Sequence, residues 1–182
     1  MLHRIFLAIN LPEKAKATLC NYQEKLPELP AKWTKQENLH VTLLFLGNTS
    51  EKELEELQKL VQQTAEEHKQ FSLSFTKLAY GPTPKQPRMI WAIGKSSKEL
   101  LLLQKDLMNA LGYQKEHPLS LHITLARLKE WELRQMEPEE LPLVQEELDL
   151  EIPVSAIDIM ESKLKRGGAE YTIVKSMPLS LS

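Results

Sequence analysis

One five-residue pattern occurs twice in this sequence. The segment Leu39–Leu43 reads Leu-His-Val-Thr-Leu, and Leu121–Leu125 reads Leu-His-Ile-Thr-Leu, so two of the 5 histidines in the chain stand in the same frame. Strand side chains alternate between faces, and His and Thr of each copy therefore point to one side while Val or Ile points to the other. Two such strands lying side by side would present two imidazoles and two hydroxyls to one space.

Apolar periodicity predicts strands and helices around these motifs. The run Leu2–Asn10 predicts a central strand, and helices are predicted after Pro12, Ser50 and Ser96, the last two opened by Ser-x-x-Glu capping boxes. Because each motif strand is preceded by a helix, we predict two halves that are built alike and face each other. We therefore expect one α+β domain over residues 1–182, with mostly antiparallel sheets and helices on their outer faces.

The remaining segments lead to more local predictions. Gly47 is predicted to end the first motif strand. The acidic stretch Trp131–Glu151 is interpreted as a surface helical turn and a loop. Strands are predicted over Ile152–Leu164 and Glu170–Met177, joined as a hairpin through Arg-Gly-Gly.

Composition narrows the function classes. The net charge of −2 argues against a protein that holds long RNA or DNA through many phosphate contacts, but it leaves room for a small pocket that binds one phosphate. The single cysteine, Cys20, can form no internal disulfide, and no apolar run approaches the length of a membrane span. We therefore expect a cytoplasmic protein with no membrane association.

The repeated motif suits proton transfer at a phosphate. Histidine has an unperturbed pKa of ~6.5, so one neutral imidazole can remove a proton from water while a protonated one supplies a proton to a leaving oxygen. The two threonine hydroxyls can hydrogen-bond the non-bridging phosphate oxygens. Such a reaction requires no metal.

Two alternatives stay open on the residues alone. The motifs could be ordinary half-buried strands whose histidines are satisfied by local hydrogen bonds. The histidines could also ligate a metal, although no acidic residue lies near either motif on the histidine face to complete the site. The absence of a glycine-rich phosphate loop, a nucleophile elbow and a Cys/His pair argues against nucleotide cofactors and covalent catalysis, so we predict no cofactor.

Flanking residues extend the pattern into a family resemblance. Four segments resemble parts of the two-histidine phosphoesterases. The family's first strand is similar to Arg4–Pro12 and its first signature to Trp33–Gly47. A middle strand of the family is similar to Pro87–Trp91, and its second signature is similar to Leu121–Arg127. The resemblance covers nearly the whole chain and is strongest to the bacterial and archaeal RNA 2′,3′-cyclic phosphodiesterases, historically called 2′-5′ RNA ligases. One departure is Leu121, where members often have proline.

The resemblance implies a bilobal fold with the motif strands lining a central cleft, and it implies residue roles. His40 would be the proton donor and His122 the proton acceptor, with Thr42 and Thr124 holding the phosphate. Arg127 would contact the phosphate as well. Strict alternation puts Arg127 on the face opposite His122, so a bulge must redirect its side chain.

The activity implied is metal-independent hydrolysis of RNA or oligonucleotide ends that carry a 2′,3′-cyclic phosphate, leaving a 2′-phosphate. We expect a monomer. Two further hypotheses remain: ATP-independent joining of RNA ends through a 2′-5′ bond in the same site, and a non-catalytic RNA-end binding module. Retention of both histidines and both threonines argues against the last hypothesis.

Other large or titratable side chains are predicted to be structural. Three aromatic residues are assigned to the core: Trp33, Phe45 and Trp91. Three histidines are assigned to the surface or to a solvated loop: His3, His68 and His117.

Overall fold

The computed structural model describes residues 1–95, 97–113, 120–136, 140–166 and 168–181. Its strands are β1 (Leu2–Asn10), β2 (Ala31–Trp33), β3 (His40–Ser50), β4 (Phe71–Thr83), β5 (Gln86–Gly94), β6 (His122–Leu128), β7 (Gln145–Val154), β8 (Ala156–Lys165) and β9 (Gly168–Pro178). Its helices are α1 (Glu13–Glu24), α2 (Glu51–Glu67), α3 (Lys98–Ala110) and the short α4 (Glu130–Leu133), with a 3-10 turn at Gln36–Asn38. Within the described ranges, no helix is both long and apolar enough to cross a membrane.

The strands form a single sheet in the order β7-β4-β5-β6-β3-β1-β8-β9, with β2 paired to β6. Every pairing between these strands is antiparallel. The two halves join at the centre, where β3 and β6 share one residue pair, Val41 with Ile123. The predicted α+β class and antiparallel pairing are confirmed, and the two predicted sheets are continuous through this one contact.

The main core lies on the helix-covered face of the sheet. Leu57 and Val61 of α2 and Leu103 of α3 are buried in the same cluster as Leu7 and Ile9 of β1. Side chains at alternate positions of these strands must point to the opposite face. The histidine and threonine of each motif lie on that opposite face, away from the helices.

Helix starts follow local capping chemistry. Ser50 opens α2 with the predicted capping box. Ser96, where the second capping box is predicted, lies outside the described residues; the N-cap of α3 is Ser97, whose hydroxyl accepts a hydrogen bond from the Leu100 amide at 3.2 Å. The Ser-x-x-Glu spacing selects Ser96, because Glu99 stands three residues after it and Leu100 stands three residues after Ser97.

An additional strand replaces the predicted acidic loop. Strand β7 pairs with β4 at the edge of the sheet. Leu148 and Ile152 are buried while Asp149 and Glu151 are exposed, as expected for an edge strand with one solvent-exposed face. The high acidic content concealed this alternation, and the predicted strand from Ile152 onward is in fact two strands separated at Ser155.

Strand β3 continues beyond Gly47, contrary to the prediction. The register with β1 shifts between Ile5, opposite Gly47, and Phe6, opposite Phe45. Gly47 has a φ of 79°, a left-handed conformation that glycine adopts without steric cost. The glycine therefore forms a bulge inside the strand and does not end it.

His68 is buried, contrary to its predicted surface position. Its side chain lies at the end of α2 with a relative exposure of 8%, and its Nε2 is 3.1 Å from a carboxylate oxygen of Asp106 on α3. Packing of α2 against α3 covers this helix end. Trp33 packs against the core as predicted, and His117 lies outside the described residues.

Candidate active site

The two motifs meet where β3 pairs with β6. Val41 faces Ile123 in an antiparallel register, and both side chains are buried. The histidine and threonine on either side of Val41 and Ile123 therefore lie on the opposite face of the sheet. There, this register places His40 opposite Thr124 and Thr42 opposite His122. Diagonal neighbours in such a ladder are roughly 7–8 Å apart, so the two imidazoles can flank one phosphate.

Backbone carbonyls orient both imidazoles in the same way. His40 Nδ1 donates to the carbonyl of Asn38 at 2.7 Å, and His122 Nδ1 donates to the carbonyl of Ser120 at 2.7 Å. A neutral imidazole so held carries its proton on Nδ1 and presents Nε2 as an acceptor. At His40 the Thr42 hydroxyl lies 3.0 Å from this Nε2.

The rings around the two histidines differ. His40, Phe6 and Tyr171 form a cluster in which the His40 ring lies 5.1 Å from that of Phe6 and 5.3 Å from that of Tyr171, nearly perpendicular to it at 84°. His122 stacks on Trp91, with centroids 4.0 Å apart and an interplanar angle of 23°.

Trp91 is therefore a site residue and not the core residue predicted from sequence. A signal was available, because Trp91 alternates with Ile90 and Ala92, both fully buried on the other face of β5. Its place beside His122 depends on strand pairing, since Trp91 is opposite Thr124 in the β5–β6 register. Gly81 packs against the indole of Trp91. A Cβ added at Gly81 would lie 2.3 Å from an indole carbon, so only glycine leaves space for the tryptophan side chain.

The environment of His40 favours its neutral form. Burial among its neighbours lowers the pKa of His40, and the charge of His122 lowers it further, while the hydrogen bond to the Asn38 carbonyl raises it. The net direction is downward from the ordinary value.

A bulge follows the threonine of each motif. In β3, Thr42 and Leu44 are opposite consecutive residues of β1, so Leu43 is the extra residue. In β6, Thr124 and Ala126 are opposite consecutive residues of β5, so Leu125 is extra. Each bulge reverses the alternation for the residues beyond it.

The bulges bring two more side chains to the histidine face. Beyond Leu125 and Ala126, both buried, Arg127 is exposed, and the predicted redirecting bulge is confirmed. Phe45, three residues after Thr42, is 72% exposed. Its predicted core position is wrong, because unbroken alternation from Val41 and Leu43 would bury Phe45 and the bulge interrupts that alternation. Its ring lies 6.0 Å from that of Phe6.

The hairpin of β8 and β9 closes against the first motif. The side-chain amide of Asn38 donates to the carbonyl of Ala169 at 2.9 Å, and Tyr171 on the same strand contacts His40. These contacts join residues about 130 positions apart in the chain and were not predicted from sequence.

The arrangement is suited to acid–base chemistry at a phosphorus atom. Two imidazoles expose Nε2 to a shared face that also carries two hydroxyls and the guanidinium of Arg127. Across the described part of the chain, no three His, Cys, Asp or Glu side chains are grouped as a metal ion would need.

Comparison with known proteins gives consistent matches over the whole fold. The RNA 2′,3′-cyclic phosphodiesterase of Thermus thermophilus is 31% identical, over 97% of this chain and 90% of its own. The protein of the same name from Thermotoga maritima is 27% identical, over 94% and 92%.

Solved structures agree with these sequence matches. A crystal structure of a Thermus thermophilus protein superposes with a TM-score of 0.81, at 30% identity over 97% of both chains. E. coli LigT complexed with 3′-AMP has the same fold, with a TM-score of 0.81 at 22% identity over 99% of both chains. The sequence profile of the 2′-5′ RNA ligase superfamily matches residues 13–166. The chain thus belongs to the 2′-5′ RNA ligase superfamily.

Proposed function

We propose that this chain hydrolyses the 2′,3′-cyclic phosphate at the ends of RNA or oligonucleotides to a 2′-phosphomonoester, without a metal. The observation that carries the proposal is the pairing of Val41 with Ile123, which leaves the histidine and threonine of both motifs on one face. The names of the Thermus and Thermotoga relatives support the substrate class.

In the proposed reaction His122 is the proton acceptor and His40 the proton donor. Nε2 of His122 takes a proton from water as the water oxygen bonds to phosphorus. The bond between phosphorus and the 3′ oxygen breaks, and the Nε2 proton of His40 passes to that oxygen. One proton is taken and one is given, so exchange with solvent restores both imidazoles.

The hydroxyls and the guanidinium hold the phosphate. Thr42 and Thr124 donate to its non-bridging oxygens, where negative charge increases in the transition state. Thr42 exchanges its contact with His40 Nε2 for one with the phosphate when substrate binds. Arg127, brought to this face by its bulge, adds a positive charge.

Substrate charge offsets the environment of His40. The pKa of His40 is lowered in the free protein, chiefly by burial, whereas a proton donor must be charged. An anionic phosphate beside the ring raises the pKa again. Binding of the cyclic phosphate and protonation of His40 are therefore coupled in this proposal.

Phe45 supplies a surface for the nucleobase. Its ring is 72% exposed and lies on the histidine face beside Phe6. Single-stranded RNA is commonly held by stacking of unpaired bases on aromatic side chains. The net charge of −2 does not favour extended RNA binding, so we propose that the substrate is a short or terminal RNA segment. In this proposal the protein acts as a monomer in the cytoplasm, and residues 1–182 form one bilobal domain.

End joining is a second candidate, because the superfamily is described by that reaction. A hydroxyl of another RNA end in place of water would form a 2′-5′ bond by the same proton transfers, without ATP. Incubating cyclic-phosphate ends with a hydroxyl-ended RNA and measuring longer products separates joining from hydrolysis.

The test is hydrolysis of an oligonucleotide ended by a 2′,3′-cyclic phosphate in excess EDTA. Wild type should release a 2′-phosphate with a bell-shaped pH dependence, and His40→Ala and His122→Ala should not. His3→Ala is the matched control, because His3 pairs with Glu161 away from both motifs and should retain activity.

Two outcomes contradict the proposal. If EDTA abolished the activity, the histidines would be metal ligands. If wild type bound the oligonucleotide and left every cyclic phosphate unchanged, the chain would be an RNA-end binding module.

A further inference from the structure

Asn38 is a buried polar residue next to the first motif. Its relative exposure is 7%, and it ends the 3-10 turn that leads into β3. Two bonds run from it in different directions. Its backbone carbonyl accepts from His40 Nδ1 at 2.7 Å, and its side-chain amide donates to the Ala169 carbonyl at 2.9 Å. One residue thus connects the first histidine to the β8–β9 hairpin.

The other end of this side chain has no partner. Oδ1 of Asn38 is buried and forms no hydrogen bond with the described residues. A buried acceptor left unsatisfied is unfavourable for stability. The bond to Ala169 also sets the orientation of the amide, since a flipped amide would put Oδ1 against the carbonyl. The amide thus has a defined orientation, with its nitrogen toward the β8–β9 hairpin.

The second motif lacks this link. Ser120 occupies the corresponding position, and its carbonyl accepts from His122 Nδ1 at 2.7 Å. Its side chain is exposed and forms no hydrogen bond within the described part of the chain. The two motifs thus share the carbonyl contact, and the side-chain link to the hairpin belongs to the first motif alone.

The hairpin touches His40 a second time. Tyr171, two residues beyond Ala169 on β9, packs nearly perpendicular to the imidazole with ring centroids 5.3 Å apart. A displacement of the hairpin would therefore change both the packing of the imidazole and the position of the carbonyl that orients it.

We propose that Asn38 is a positioning residue for the reaction proposed above: its side-chain amide holds the β8–β9 hairpin against the segment whose carbonyl orients His40. Loss of the amide releases the hairpin tip and lets the Asn38 carbonyl move. His40 then loses its fixed Nδ1–H tautomer and the alignment of Nε2. The proposal rests on the proposed function for its catalytic consequence, but the tautomer is independent of any activity.

The experiment compares Asn38→Ala and Asn38→Ser with wild type, because both variants are too short to reach Ala169. We expect kcat on a cyclic-phosphate oligonucleotide to fall by ~10- to 100-fold with little change in KM, since misalignment of this kind can cost about 100-fold. Ser120→Ala should cost less, because its carbonyl remains and no side-chain contact is lost. Asn48→Ala, an exposed asparagine on the same strand, is the unaffected control.

A readout specific to positioning comes from NMR of the histidine nitrogens. In wild type the neutral His40 should be the Nδ1–H tautomer, and the Asn38 variants should contain the other tautomer as well. The pKa of His40 should fall in them, because the carbonyl bond that raises it is weakened, and the pH profile of kcat/KM should shift the same way. The titratable groups that face His40 in the described structure are His122 and Tyr171.

The results separate the two proposals. Folded Asn38 variants with kcat within two-fold of wild type and an unchanged His40 tautomer would overturn the positioning role. A wild type inactive on every cyclic phosphate would overturn the proposed function, and the tautomer would still test the link. If Asn38→Ala does not fold, the kcat and the His40 tautomer of Asn38→Ser test the positioning role.

Discussion

The two motif strands carry nearly the same five residues in different surroundings. His40 packs against two aromatic rings and is linked through Asn38 to a hairpin that is distant in sequence. His122 stacks face to face on one indole, and Ser120 makes no side-chain link within the described structure. The two motif strands thus share the backbone geometry that presents Nε2, while the side chains that surround the imidazole differ between the halves. A shared geometry allows the imidazoles to act as a pair, and unlike surroundings allow unlike roles.

The positions after the bulges show the same divergence. Each threonine is followed by a bulge and then, three residues on, by an exposed side chain: Phe45 in β3 and Arg127 in β6. One is apolar and planar, the other cationic. In the proposed complex these equivalent positions hold different parts of the substrate, the base and the phosphate.

The largest expected effect tests whether the two motifs act as one unit. His40→Ala and His122→Ala should each lower kcat by ~10³-fold or more, because each proton transfer contributes about 10²–10⁴. The double variant should lose little more than either single variant, since groups that act together are non-additive. Single-turnover rates measure this, and losses that multiplied would mean that the histidines act independently.

A smaller effect separates the two positions beyond the bulges. Phe45→Ala should raise KM roughly 5- to 30-fold on nucleotide substrates, as expected for loss of about 1–2 kcal/mol of base stacking, and should not affect a base-free ribose cyclic phosphate. Arg127→Ala should lower kcat/KM on both and weaken its salt dependence.

The matched control for Phe45 is Leu143→Ala, which removes a side chain that is 82% exposed. Equal losses for Phe45→Ala on substrates with and without a base would contradict base stacking.

Gly81→Ala should disturb only the half of the sheet that carries the second motif. The new Cβ would lie 2.3 Å from the Trp91 ring, and displacing the indole should destabilise the fold by about 1–3 kcal/mol, as overpacking does, and move His122. Urea unfolding and the NMR signals of both histidines measure these effects. Gly81→Ala combined with Trp91→Leu should restore stability without restoring activity. A shift of the His40 signals as large as that of His122 would contradict confinement to one half.

The smallest expected effect concerns acid stability. Burial lowers the pKa of His40 in the folded chain below its unfolded value of ~6.5. Its contribution to stability is therefore present above that unfolded pKa and is lost as pH falls toward the folded pKa. Relative to wild type, His40→Gln should lose less stability between pH 8 and pH 5, measured by urea unfolding. A greater loss in the variant would mean that folding raises the pKa of His40.

Local sequence pattern was sufficient to predict several helices and strands and the paired motifs. Strand β1, helices α1 and α2 and the β8–β9 hairpin were predictable because period, capping residues and turn residues act within a few positions. Strand β7 was missed because acidic residues hid its alternation. The roles assigned to His40, His122, Thr42 and Thr124 stay predictions, although their common face agrees with them.

Sequence by itself determined that two His-x-Thr strands exist and that each points both polar side chains to one side, because alternation along a strand is a property of the backbone. Tertiary structure alone decided where that alternation breaks. A bulge depends on the register between neighbouring strands, so the positions of Phe45 and Arg127 on the histidine face result from pairing with β1 and β5. The contacts of Trp91 with His122 and of Asn38 with Ala169 likewise join residues far apart in the chain, and no local pattern encodes contacts that form only when the halves fold together.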